Sequence, residues 1–257
     1  MDRTDGPFQM TRSTPHMLVV AGSDSSGGAG IVRDIETLAA FGIKASVAIT
    51  AVTAQTHRDV LHVETIPPDR VVQQMHAALT ANPVTAIKIG MLATTATIEA
   101  VAKVLANHPD IPVVLDPVLV STSGGMLLTP GSMAALRDLF GSCTLITPNL
   151  PELSRLTAVE TAGARENAAG QARRLIAAGV RAVLVKGGHD DGMESVDILI
   201  QPDRADQSFA APRLEASMRG TGCMLASAIA ARLAFGDSLA TAIATAKAFV
   251  HRKLSEG

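Results

Sequence analysis

Short apolar runs alternate along this chain with longer stretches in which apolar side chains recur every three or four positions. Residues 17–22 form the first run, which closes on a glycine. In 30–41, Ile31, Ile35, Leu38 and Ala39 share one side of a 3.6-residue repeat, so a helix is expected there. Residues 45–54 read as a strand or strand pair. A helix is expected over 68–81, with Pro67 and Pro68 at its start. Four brief, β-branched runs at 86–89, 113–115, 144–146 and 182–185 read as buried parallel strands. Helices are expected between them at 95–107, 131–139 and 165–178. Beyond Gly188 the texture changes: 196–201 and 207–211 read as an antiparallel pair. Two alanine-rich helices, 222–234 and 238–254, follow.

Strand and helix in alternation predict an α/β fold, with a mostly parallel sheet covered by helices on both faces. With no long linker, repeat or low-complexity tract, 17–257 is expected to be one domain. Residues 1–16 are polar and mixed, lack the apolar stretch of a secretory signal, and read as a loose tail. Ligands of such sheets sit beyond the carboxyl ends of the strands, so the residues just after each strand carry the functional information.

Composition narrows the classes. Hydrophobic residues make up 47% of the chain, which excludes disorder for its bulk. The formal charge is −2, Trp and Tyr are absent, and no basic stripe occurs, so nucleic acid is not an expected partner. No apolar run is long enough to span a bilayer; the best, 224–235, is short and holds Arg232. The two cysteines, Cys143 and Cys223, make no disulfide framework, and a cytoplasmic location is expected.

Seven segments carry polar or glycine-rich residues at strand ends or helix starts: 22–30, 54–55, 88–91, 116–117, 147–152, 186–189 and 219–223. The glycine-rich turn after the first strand is neither a dinucleotide fingerprint nor a Walker A loop, because Gly27 is followed by Gly28 and Ala29. It reads as a close backbone approach to a ligand or as an ordinary turn. Gly220-Thr-Gly-Cys223 opens a helix, where free N–H groups and the helix dipole favour an anion. Cys223 in that first turn is expected to lean toward thiolate and could act as a base; the alternative is a structural cysteine beside an N-cap Thr221. Cys143, on an apolar strand, reads as structural. Asn149 and Glu152 could hold Mg²⁺ or its waters, or could form a capping box. Lys88 and Lys186 could meet phosphate, or be solvated. The seven histidines are dispersed, with no zinc spacing.

Seven motifs occur in order: Ala-Gly-Ser-Asp-Ser-Ser-Gly-Gly-Ala-Gly-Ile (21–31), Thr-Ala-Val-Thr-Ala-Gln (50–55), Lys-Ile-Gly-Met-Leu (88–92), Leu-Asp-Pro-Val (115–118), Ile-Thr-Pro-Asn-Leu-Pro-Glu (146–152), Val-Lys-Gly-Gly-His (185–189) and Gly-Thr-Gly-Cys (220–223). Together they resemble the hydroxymethylpyrimidine/phosphomethylpyrimidine kinases of the ribokinase-like superfamily, over residues 17 to 250. The resemblance implies a three-layer α/β/α fold, ATP and Mg²⁺ as cofactors, and a homodimer. It implies that Gly220, Thr221, Gly222 and Cys223 form the anion hole, with Cys223 as base. Lys186, Asn149, Thr221 and Lys247 would meet the nucleotide phosphates, and Glu152 with Asn149 the Mg²⁺. Gln55, Asp34, Met91 and Gly22 would line the pyrimidine pocket. A Gln55 amide can both donate to and accept from an aminopyrimidine edge. Arg219 stands where such kinases usually carry His. Val32-Arg33 replaces Gln-Ala, Glu36 replaces a common Lys, and no glycine- and histidine-rich tail follows.

The activity the resemblance implies is phosphorylation of hydroxymethylpyrimidine by ATP, then of its monophosphate to the diphosphate used in thiamine synthesis. Two rivals are a pyridoxal-type vitamin kinase and a non-catalytic pyrimidine-binding regulator. Gln55 speaks against the first, and the intact phosphate apparatus against the second.

Overall fold

A computed structural model describes residues 14–120, 125–158, 165–188, 192–216 and 218–256. The expected tail, 1–16, falls mostly outside these residues, as does His189. The first strand, β1 (His16–Asp24), takes His16 from that tail, and the Pro15 carbonyl already accepts from the Lys44 N–H at 3.2 Å. After it come α1 (Gly30–Ala40), β2 (Lys44–Gln55), β3 (Val60–Thr65), α2 (Pro68–Ala81), β4 (Val84–Ile89), α3 (Thr95–Ala106), β5 (Val113–Leu115) and α4 (Met133–Leu139). The second half holds β6 (Leu145–Ile146), α5 (Leu150–Thr157), α6 (Arg165–Ala177), β7 (Val183–Val185), β8 (Glu194–Ile200), β9 (Gln207–Pro212), α7 (Thr221–Ala234) and α8 (Leu239–Glu256).

One sheet runs β3-β2-β1-β4-β5-β6-β7-β8-β9. The six strands from β2 to β7 pair in parallel. β3 lies antiparallel on one edge, and the expected β8–β9 pair on the other. The 45–54 run is thus one long strand, β2, whose antiparallel neighbour is β3. The order reverses at β1, which sits between β2 and β4, and such a switch point opens a crevice at the strands' carboxyl ends.

Strand alternation sorts the core into two layers. Leu18 and Val20 of β1, with Ile87 and Ile89 of β4, face the layer that also buries Val71 of α2 and Ile98 of α3. Met17, Val19 and Ala21 face the opposite layer with Leu38 of α1, Ile229 of α7 and Phe249 of α8. Alanines 226, 228, 230 and 231 leave α7 thin enough to be buried between its neighbours and the sheet. Lys88 points into this second layer, and it is fully buried.

Candidate active site

The carboxyl ends of the parallel strands open on a cavity of about 660 Å³, a size typical of small-ligand sites. Every site residue expected from the sequence lines it except Asp34. Seven segments far apart in sequence therefore converge on one space.

At its centre is the start of α7. Gly220 has φ 73°, a left-handed conformation that glycine adopts without strain, and it caps the helix without a side-chain bond. The first helical bond runs from the Met224 N–H to the Gly220 carbonyl at 2.9 Å. The N–H groups of Thr221, Gly222 and Cys223 have no protein acceptor among the described residues. Three free amides at a helix N-terminus suit a phosphoryl group. A Cβ on Gly222 would lie 3.2 Å from Lys186 Nζ and 3.3 Å from Asp116 Oδ2, so glycine lets the loop sit against that pair.

Lys186 Nζ is 2.7 Å from Asp116 Oδ1 and 3.7 Å from Glu152 Oε2. Burial acts to lower the Lys186 pKa, but Asp116 and Glu152 outweigh it and hold the ammonium above its ordinary range. Burial raises the Glu152 pKa, Lys186 opposes that rise, and Asp116 adds to it. Asn149 and Glu152 form the capping box of α5: Asn149 Oδ1 accepts from the Glu152 N–H, and Glu152 Oε2 from the Asn149 N–H, each at 2.8 Å. The structural reading of this pair is therefore realised, and it fixes the Glu152 carboxylate beside Lys186. Among the described residues no three His, Cys, Asp or Glu side chains form a cage for a metal. Asp116 and Glu152 do suit an ion completed by substrate phosphates and water.

At one end of the cavity, Gly22 leaves room for Met91, whose sulfur would be 3.0 Å from a Cβ there. Thr53 Oγ1 donates toward Gln55 Oε1 at 3.3 Å, and Ser25 Oγ accepts from the Gln55 N–H at 2.8 Å. The Gln55 side-chain nitrogen has no partner among the described residues, and the residue lines the cavity. At the other end, Lys247 Nζ pairs with Asp197 Oδ2 at 2.8 Å, and Asp197 Oδ1 accepts from the Gly187 N–H at 2.9 Å.

Two expectations need correction. Asp34 does not line the pocket: it is fully buried behind the cavity floor, where Oδ2 accepts from Lys88 (2.8 Å) and Oδ1 from Ser227 (2.7 Å). Burial raises the Asp34 pKa, and the Lys88 ammonium and the two hydrogen bonds oppose that rise. Burial would lower the Lys88 pKa, but Asp34, Cys223 and Asp116 outweigh it, so Lys88 stays charged; it is fully buried rather than solvated, and it borders the cavity. Cys223 does not lean toward thiolate. Burial pushes its pKa up to about 11, and the opposing pull of Lys88 and of the Gly30 N–H is too weak to reverse this. Cys143, fully buried, is pushed up to about 12 by the same cause, in keeping with its structural reading.

Asp116, Asp197 and Arg219 also line the site without having been assigned to it. Asp116 carried a signal, since it follows an apolar strand just as Lys186 does. Asp197 lies inside the β8 run and gave none.

The phosphomethylpyrimidine kinase family model matches residues 24–257. The hydroxymethylpyrimidine/phosphomethylpyrimidine kinase of Rhizobium meliloti is 42% identical over 93% of this chain and 90% of its own length. The thiamine biosynthesis bifunctional protein ThiED of Geobacter sulfurreducens is 43% identical over 91% of this chain, which spans only 48% of that longer protein. Among solved structures, the phosphomethylpyrimidine kinase of Clostridium difficile 630 superposes with a TM-score of 0.82 at 33% identity, over 94% of this chain and all of that one. Pyridoxal kinase from Staphylococcus aureus, in complex with AMP-PCP and pyridoxal, superposes with a TM-score of 0.83 at 30% identity, over 93% of this chain and 87% of that one. The ordered strand-end motifs, the three-layer fold and these matches agree: the chain belongs to the phosphomethylpyrimidine kinase family.

Proposed function

We propose that this cavity transfers the γ-phosphoryl group of ATP to the hydroxymethyl oxygen of 4-amino-5-hydroxymethyl-2-methylpyrimidine, and then a second group to the resulting monophosphate. The observation that carries this reading is the convergence on one cavity of a Gln55 side-chain nitrogen with no partner among the described residues, three free amides of α7 and the Lys186–Asp116–Glu152 cluster. The pyrimidine edge pairs with Gln55 between Gly22 and Met91. The transferred group sits on the amides of Thr221, Gly222 and Cys223. Lys186 and Lys247 balance the charge of the nucleotide phosphates, and Met218, Leu225, Val250 and Leu254 give the apolar wall suited to an adenine ring. Asp116 and Glu152 would hold Mg²⁺, which supplies charge neutralisation between the phosphates.

In the first step the hydroxymethyl oxygen bonds to the γ-phosphorus, the bond to the β,γ-bridging oxygen breaks, and ADP leaves. The hydroxyl proton passes to the Cys223 thiolate. In the second step the acceptor is already an anion and needs no base. Positioning and charge stabilisation supply most of the acceleration in both. The two free cysteines fit a reducing cytoplasm. Among the described residues no helix is long and apolar enough to cross a membrane. A homodimer is the assembly we expect.

Incubation with ATP, Mg²⁺ and a panel of the pyrimidine alcohol, its monophosphate, pyridoxal and pyridoxine, followed by mass spectrometry, tests the reading. Conversion of both pyrimidines to the diphosphate is the expected outcome. Exclusive phosphorylation of the pyridine alcohols would instead favour the vitamin B6 activity of the S. aureus neighbour.

A further inference from the structure

Arg219 has no task in the reading above, yet it joins three turns that the reaction needs in register. It immediately precedes Gly220 and the free amides of α7. Its Nη1 donates to Ser26 Oγ at 2.8 Å and to the Thr56 carbonyl at 3.1 Å, and its Nη2 donates to Asp24 Oδ2 at 3.2 Å. Asp24 ends β1, Ser26 belongs to the glycine-rich turn that follows it, and Thr56 directly follows Gln55. Asp24 is itself buried, with Oδ1 accepting from the Ser26 N–H (2.9 Å) and hydroxyl (2.8 Å). The turns also touch through their backbones. A Cβ on Gly220 would run into the Gly28 carbonyl, and one on Gly28 would lie 3.0 Å from Arg219 Nη1. Arg219 Nε is buried with no partner among the described residues, so the bonds from the two Nη groups place the guanidinium.

We propose that Arg219 is a positioning residue that fixes the acceptor-binding end of β2 against the phosphoryl-transfer loop of α7. The inference rests on the kinase reading for its consequence, though not for its geometry. Gln55 would orient the acceptor, and the amides after Gly220 the group transferred to it. Reacting atoms must approach to about 3–3.5 Å, and a slip of about 1 Å can cost 10²-fold in rate. Residues 24–28, 55–57 and 219–220 meet on this side of the cavity, and Arg219 bonds to both of the other turns at once. A planar, two-armed guanidinium suits this task where a single ammonium does not.

The test compares wild type with Arg219→Met, Arg219→Lys, Asp24→Asn and the Arg219→Met/Asp24→Asn double variant. Product formed, ADP formed, the KM for ATP and backbone hydrogen exchange are measured on each. Arg219→Met is expected to lower kcat for transfer by about 10–10²-fold, with the KM for ATP within about twofold of wild type. It should release more ADP than phosphorylated product, because water replaces a misplaced acceptor. Asp24→Asn should act in the same direction, and the double variant should be no worse than Arg219→Met. Arg219→Lys should remain uncoupled while preserving the charge beside Asp24, which covers the case in which Arg219→Met folds poorly. Exchange should quicken at 24–28 and 56–59 but not within α7. Wild-type kcat and one ADP per product in Arg219→Met would overturn the proposal. So would transfer and ATP hydrolysis falling together with the melting temperature. A wild-type protein inactive on every pyrimidine would defeat the kinase reading instead, and unchanged exchange at 24–28 and 56–59 would then still overturn the clamp.

Discussion

At Cys223 two influences compete. The start of α7, Lys88 and the Gly30 N–H favour thiolate; burial, Asp34 and Asp116 favour thiol, and the balance lies at about 11. With the balance that far above neutrality, the thiol is the dominant form at pH 7. The sign follows directly: the protonated form dominates below that pKa, so base strength is gained as pH rises. If Cys223 takes the hydroxyl proton, kcat/KM for the pyrimidine alcohol should climb about tenfold per pH unit from neutrality toward pH 10. The monophosphate step should show no such climb. Initial rates for both acceptors across that range check it, and an alcohol profile that is flat above pH 7 would remove Cys223 as the base. The sequence could place Cys223 at a helix start, but the dipole argument alone gave the wrong direction. Desolvation by segments remote in sequence sets the direction.

At the scale of elements, β4, α1 and α7 are joined by Lys88, Asp34 and Ser227 in a site with no solvent. The charges balance only as a set. Lys88→Met should leave the Asp34 carboxylate buried with one hydroxyl donor and cost about 3–5 kcal/mol. Lys88→Met with Asp34→Leu should recover most of that, since an apolar pair removes the stranded charge. Urea unfolding of the two variants measures the difference; equal losses would mean that the pair is not the ionised unit described. Periodicity read most elements with a buried face: α2 and β5 match their expected bounds, and α1, α3 and α6 match within a residue, but α5, which buries Leu153 and Leu156, had only its capping box read and no range. It failed at β3, where Leu61 is 69% exposed and no apolar face marks the strand. It also could not pair Lys88 with Asp34, because the partners lie 54 positions apart and meet only through the fold.

For the whole molecule, the sheet order explains why so much of the site was readable. A parallel sheet with its switch at β1 sends the loops after its strands to one edge, so residues following apolar runs must converge. Gly22, Gln55, Met91, Asn149, Glu152, Lys186 and Cys223 all do. Asp197 and Lys247 reach the same cavity from β8 and α8, where no strand-end rule applies, and Lys247 was reachable only through family resemblance. One cavity then has to serve two acceptors that differ in a single respect: the alcohol must lose a proton and the monophosphate need not. Cys223→Ala separates them in one experiment, with each acceptor supplied in turn with ATP and Mg²⁺ and the products resolved by chromatography. Monophosphate formation from the alcohol should fall by about 10²–10⁴-fold, the usual span for loss of a general base, while diphosphate formation from supplied monophosphate stays near wild type. Equal losses in both steps by a folded Cys223→Ala protein would contradict the account.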